Sequence, residues 1–170
     1  NEKIEIPINL TVIGIAKPVF PTDTIVEEHV AGYVDMSGPL ASQGAGAYDL
    51  IIKIGNEGKA SFTITNMMID CEMFTPYPEY PDYTMPIFQY IGYYGMQYDY
   101  WGDPMGMAWG IYYGGNIEVS SDGVEIAIPV PYEIASVVGE NKGTLVLSVD
   151  GIEGVTTIEI PFKAIAKDIP

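Results

Sequence analysis

Gly143–Lys167 reads GTLVLSVDGIEGVTTIEIPFKAIAK, and this stretch decides the fold. Leu145, Leu147 and Val149 fall on one face of a first run, and Ile158, Ile160, Phe162, Ala164 and Ala166 on one face of a second. Strict alternation of this kind marks half-buried strands, since a helix would repeat every three to four residues. Between the runs, Asp150-Gly151 through Gly154 supplies the positive φ angles that open a tight hairpin.

The same period continues toward the N-terminus. Val124, Ile126, Ile128 and Val130 form one stripe, Ile117 and Val119 a shorter one, and Phe62, Ile64 and Met68 another. Tyr48, Leu50, Ile52 and Ile54 precede them, with Val30, Gly32, Val34 and Met36 before that and Ile4, Ile6, Ile8, Leu10 and Val12 first. Gly55-Asn56-Glu57-Gly58, Gly114-Gly115 and Asp122-Gly123 are the turns expected between such strands. Only Pro131 to Gly139 looks helical, with Pro131 near the start, Ile134 and Val137/Val138 at helical spacing and Gly139 as the stop. About eight strands and one short helix predict an all-β fold, an antiparallel β-sandwich of jelly-roll or Ig-like connectivity.

A length of 170 residues suits one such domain. Seven lysines, no arginine and 23 acids leave a net charge of −16, which excludes nucleic acid and disfavours anionic membrane surfaces. With 48% apolar residues the chain is far from the composition of a disordered one. Cys71 stands alone, so it reads as a small core hydrophobe, with neither a disulfide nor a zinc site. No apolar run approaches the ~20 residues of a membrane helix. The chain opens at Asn1, without Met and already in strand-like sequence, which reads as a mature form exported after removal of a leader.

Residues 3–16 are the first segment that carries function. Their alternation predicts a strand about 45 Å long, cut from the body by Lys17-Pro18 and Pro21. Such a strand either opens its own sandwich or completes a neighbour's sheet by strand addition. The tetrapeptide Ile4-Glu5-Ile6-Pro7 recurs as Ile158-Glu159-Ile160-Pro161, as though both segments occupied similar environments.

The post-leader strand Ile4–Ala16, the strand and turn Asp49–Gly58 leading into Phe62–Thr65, and the closing strands Gly143–Leu147 and Ile158–Ala166 together resemble a known family. These are the extracellular filament subunits of archaea and bacteria related to the biofilm-matrix protein TasA, including archaeal bundling pili. The resemblance implies a jelly-roll-like sandwich that polymerises by donating its N-terminal strand to the next subunit. It implies residues 1–17 as the donor strand, with Ile4, Ile6, Ile8, Leu10 and Val12 at the subunit interface, and residues 18–170 as the sandwich. The implied role is a homopolymeric cell-surface filament in adhesion, bundling or biofilm.

Residues 73–115 have no counterpart in that resemblance. They hold most of the aromatics, no lysine, and a Pro76–Pro81 stretch whose prolines cannot donate to a central ladder. They predict a long excursion from the sandwich, with a strand resuming from Met105 to Tyr113. Tyr98, Tyr100, Trp101 and Trp109 are its candidate contacts, either for bundling with neighbouring filaments or for glycan, and the plain alternative is a supplementary core. Asp99 and Asp103, with Glu79 and Asp82 near in sequence, offer the oxygen ligands that Ca²⁺ takes; without EF-hand spacing, the plain alternative is a solvated acidic surface. No other cofactor is expected. Asn9-Leu10-Thr11 is a glycosylation sequon.

Catalysis is not expected. His29 is the one histidine, on the strand face opposite Val30 and Val34, and no nucleophile elbow, phosphate loop or dinucleotide fingerprint is present. Two readings stand beside the filament subunit. One is a monomeric extracellular carbohydrate-binding sandwich, and the other a capsid or surface-layer protein.

Overall fold

A computed structural model describes residues 1–10, 14–71, 73–74 and 85–170. Its strands are β1 (Pro18–Val19), β2 (Ile25–Val30), β3 (Tyr48–Asn56), β4 (Phe62–Cys71), β5 (Met73–Phe74), β6 (Met85–Pro86), β7 (Gly92–Tyr98), β8 (Pro104–Ile111), β9 (Ile117–Val119), β10 (Val124–Val130), β11 (Gly139–Asp150) and β12 (Thr157–Lys167), with one helix, α1 (Tyr132–Ala135). One sheet has the order β1-β3-β10-β7-β8 and the other β2-β12-β11-β4-β9, while β5 and β6 pair separately. Every pairing is antiparallel except β2 with β12, which is parallel.

The alternation seen in the sequence becomes the core of a sandwich. Leu50, Ile52, Ile54, Ile126 and Ile128 from one sheet, and Phe62, Ile64, Leu145, Leu147, Ile158, Ile160 and Phe162 from the other, belong to one continuous buried cluster. Each such side chain removed from water contributes roughly 1.5–3 kcal/mol, so these stripes fix which face of every strand turns inward. Above the outer face of the first sheet, Leu40 and Ala41 are buried in a loop held by Asp49, whose Oδ2 accepts the N–H groups of both, at 2.7 and 3.0 Å.

Several expectations are corrected. Residues 3–10 and 14–16 form no strand: the regular ladder starts only at Pro18, residues 14–16 cross the β3–β4 turn, and among the described residues no strand pairs with residues 3–10. The strand expected through Val30, Gly32, Val34 and Met36 ends at Val30, where Gly32 turns the chain with φ of +83°. In β4 the inward residue is Met67, with Met68 exposed, because a bulge opposite Ser148/Val149 shifts the alternation by one residue. The short helix forms as expected, as a single turn, but Val137 and Val138 are exposed beyond it, and Gly139 begins β11 where a stop was expected.

The 73–115 segment is no excursion over its described part. β7 and β8 are the last two strands of the first sheet, and the strand expected from Met105 runs over Pro104–Ile111. Residues 75–84, including the proline-rich stretch with Glu79 and Asp82, lie outside the described residues. Cys71 is only partly buried, packed against the core. His29 sits on the more buried side of β2, and the Val26 and Val30 side faces solvent, the reverse of a surface histidine.

Candidate functional site

The N-terminal arm is the site with the least support from its own chain. Ile4, Ile6, Ile8 and Leu10 are 89, 77, 76 and 87% exposed, and every residue from 1 to 10 is exposed. Val12 lies outside the described residues. Four large aliphatics in a row facing water form an apolar stripe of the kind that marks an interaction surface. Asn9 is exposed between Ile8 and Leu10, while the Thr11 of its sequon is outside the described residues.

The root of the arm, by contrast, is tightly held. Pro18 and Val19 pair with Asn56 and Gly55 at the end of β3, so the preceding residues run over the β3–β4 turn. Glu57 N–H donates to the Lys17 carbonyl at 2.9 Å and Ala60 N–H to the Ile15 carbonyl at 3.3 Å. The turn approaches so closely that a Cβ on Gly58 would stand 2.0 Å from the Ile15 carbonyl oxygen, a contact only glycine allows. Asn56 fastens the junction. Its Oδ1 accepts the N–H groups of Lys17 at 3.0 Å and Gly58 at 2.9 Å, and its Nδ2 donates to the carbonyls of Ala60 at 2.8 Å and Val119 at 3.1 Å. A buried amide with all these partners satisfied is a rigid polar clip. From the sequence, Asn56 reads as a turn residue. The signal that it faces inward was present, since Tyr48, Leu50, Ile52, Ile54 and Asn56 share one alternating face.

β1 covers only two residues of β3. Among the described residues no strand lies on the rest of that edge, from Tyr48 to Ile54.

The aromatic candidates gather on the β7–β8 hairpin. Tyr94, Met96 and Tyr98 share a face with Trp109 and Met107 across the ladder, and the Tyr94 and Trp109 rings meet edge to face at 6.0 Å. At the tip, Tyr100 and Trp101 are 94 and 82% exposed and meet edge to face at 5.7 Å. Asp99 shapes that tip: its Oδ1 accepts the N–H groups of Trp101 at 3.0 Å and Asp103 at 2.8 Å. Among the described residues no group of three or more His, Cys, Asp or Glu side chains converges as metal ligands would. A cleft of about 950 Å³ beside the hairpin has Tyr94, Met96 and Tyr98 in its lining, together with Lys53, Glu118, Asp122 and Glu125.

His29 lies against two tyrosines, with ring centroids 4.8 Å from Tyr33 and 4.0 Å from Tyr48, and 3.6 Å from Glu27. Burial, and then the Glu27 charge, push the Tyr48 hydroxyl up to about 12. No helix among the described residues is long and apolar enough to cross a membrane.

No protein-family model matches the chain, and no curated protein matches it. Among solved structures it is similar to a family 123 glycoside hydrolase from Clostridium perfringens, characterised for glycolipid glycan hydrolysis, with a TM-score of 0.41 and 11% identity. The match covers 91% of this chain and 27% of that one, so this chain spans about a quarter of the enzyme.

Proposed function

We propose that this chain is the structural subunit of an extracellular, pilus-like filament that polymerises by donating its N-terminal segment to a neighbouring subunit. The exposure of Ile4, Ile6, Ile8 and Leu10 carries the proposal. Burying four aliphatics at roughly 1.5–3 kcal/mol each contributes about 6–12 kcal/mol gross, comparable with an association cost of about 4–15 kcal/mol. Permanence therefore requires main-chain hydrogen bonds as well, which strand addition supplies. The unpaired stretch of the β3 edge, Tyr48 to Ile54, is the place in the fold where an incoming strand finds them. The Asn56 clip keeps the root of the arm fixed to its own body, so the donated segment leaves each subunit in one direction. A charge of −16 repeated at every subunit makes assembly dependent on salt or Ca²⁺ to screen it.

Deleting residues 1–16 tests this. Negative-stain microscopy and sedimentation are expected to show monomers in place of threads, with the sandwich still folded. Filaments that keep growing without these residues overturn the proposal.

A second reading, a monomeric carbohydrate-binding sandwich, is favoured by the exposed Tyr100 and Trp101 and by the cleft whose lining combines tyrosines with acidic side chains. Glycan binding by a monomeric chain, lost in Trp101→Ala, selects it over the filament.

A further inference from the structure

The outer edge of β8 has the geometry to pair with itself. Tyr112 N–H donates to the Ile91 carbonyl at 2.7 Å, in register with Gly92 opposite Ile111. Hydrogen-bonded and non-hydrogen-bonded pairs alternate along an antiparallel ladder. The pairs Gly92/Ile111, Tyr94/Trp109 and Met96/Met107 are then the non-hydrogen-bonded ones, and the 6.0 Å approach of the Tyr94 and Trp109 rings fits this assignment. It follows that Met107, Trp109 and Ile111 aim their N–H and C=O groups away from β7. Among the described residues no strand lies on that side.

This edge also lacks the charges that keep edge strands apart. Met85–Tyr98 and Pro104–Ile117 contain no Asp, Glu, Lys or Arg. β2 and β9, the edge strands of the other sheet, carry Glu27 and Glu28 and Glu118 respectively. A long apolar edge without lysine or an inward charge is the feature that leads to edge-to-edge pairing. The irregularity at Gln97/Tyr98 and Pro104 stand at the far end of the hairpin and leave Met107–Ile111 regular.

We propose that β8 is a self-association surface at which two copies of this chain pair antiparallel about a twofold axis through Trp109. Met107 of one copy then faces Ile111 of the other, Trp109 faces its own counterpart, and about six main-chain hydrogen bonds join the two sheets. The occupant is a second copy because the ladder is self-complementary and because this edge is the neutral part of a chain that otherwise repels its like at −16. A glycan stacked on the aromatic face would leave those main-chain groups unpaired. In a filament this contact joins subunits laterally; in the absence of filaments it makes a dimer, so it does not depend on donation of the arm.

The test uses the full chain with Cys71→Ala. Residues facing each other in a hydrogen-bonded pair have Cα atoms about 5.5 Å apart, within disulfide reach. Trp109→Cys is expected to form disulfide dimers under mild oxidation about tenfold faster than Val26→Cys on the exposed face of β2. In the otherwise native chain, Trp109→Lys sets two like charges on the axis and is expected to abolish lateral association, seen as single threads in place of bundles or as monomer in place of dimer by sedimentation, with the far-UV strand spectrum and a cooperative unfolding transition retained. Dimers of Trp109→Cys that persist when filaments fail to form support this contact while sinking donation of the arm. Equal rates for Trp109→Cys and Val26→Cys, association unaffected by Trp109→Lys, or a monomer that instead retains neutral oligosaccharide through this face, would each overturn it.

Discussion

The tetrapeptide Ile-Glu-Ile-Pro occurs twice, and its two copies have opposite fates. In β12, Ile158 and Ile160 are 2 and 0% exposed, with Leu147 and Leu145 opposite them in β11. In the arm, Ile4 and Ile6 stand in water, nearly as exposed as in an extended chain. Local propensity is the same in both, so the difference lies in what lies alongside. β12 has β11 on one side and β2 on the other, while residues 1–10 have no ladder partner among the described residues. An edge or core position is a property of neighbours, and a strand pattern without neighbours is a strand in waiting.

The sharpest way to break this contrast is to truncate each copy in turn. Ile160→Ala is expected to destabilise the monomer by about 2–5 kcal/mol, the range for emptying a packed aliphatic site. Ile6→Ala is expected to shift monomer stability by no more than about 0.5 kcal/mol while weakening assembly. Urea unfolding of the monomer, compared with the yield of threads, measures both. An Ile6→Ala monomer as damaged as Ile160→Ala would mean that the arm is buried in its own chain.

A smaller effect is expected at the boundary between arm and body. Asn56→Ala leaves the Lys17 and Gly58 N–H groups and the Ala60 and Val119 carbonyls without their partner. The expected loss is about 2–3 kcal/mol, the cost of orphaning buried polar groups. Hydrogen exchange should rise first at Lys17 and Gly58. Unchanged exchange there would show that the paired Pro18 and Val19 alone fix the root.

The smallest effect concerns an ion pair on the β12 side. Lys163 Nζ lies 2.8 Å from Glu140, and that hydrogen bond holds the Glu140 carboxyl below the usual range. A depressed folded-state pKa contributes stability above the unfolded value, and the contribution is lost as pH falls through the folded one. Glu140→Gln is therefore expected to narrow, slightly, the drop in unfolding temperature between neutral pH and pH about 3. An identical acid response in both chains would remove Glu140 from the account of β12. Among the described residues no comparable ion pair ties down Glu5 in the arm.

Much of the fold was legible because burial repeats every second residue. β3, β10, β11 and β12 follow the stripes of Leu50, Ile126, Leu145 and Ile158. What escaped was whatever a neighbour decides. The phase slip from Met68 to Met67 depends on a bulge set against β11, and the end of β2 at Val30 on a turn at Gly32. β7 escaped because its inward positions include Gly95, where the Tyr93 ring lies in place of a side chain and hides the alternation. The exposed half of the candidate site, the arm, was readable from Ile4 to Leu10; its clip at Asn56 required the turn and Val119 to be brought together.

By itself, the sequence determined that this chain builds two β-sheets around an aliphatic core, that it carries one more apolar strand pattern at its N-terminus, and that its charge is −16. Period-two alternation and net charge are local or additive quantities, and they survive without coordinates. Only the tertiary structure decided which Ile-Glu-Ile-Pro is buried, that Asn56 anchors the arm, and that β8 is the last strand of its sheet among the described residues. Burial and pairing are relations between segments distant in the chain, and the hydrophobic and hydrogen-bond terms that settle them exist only once those segments meet.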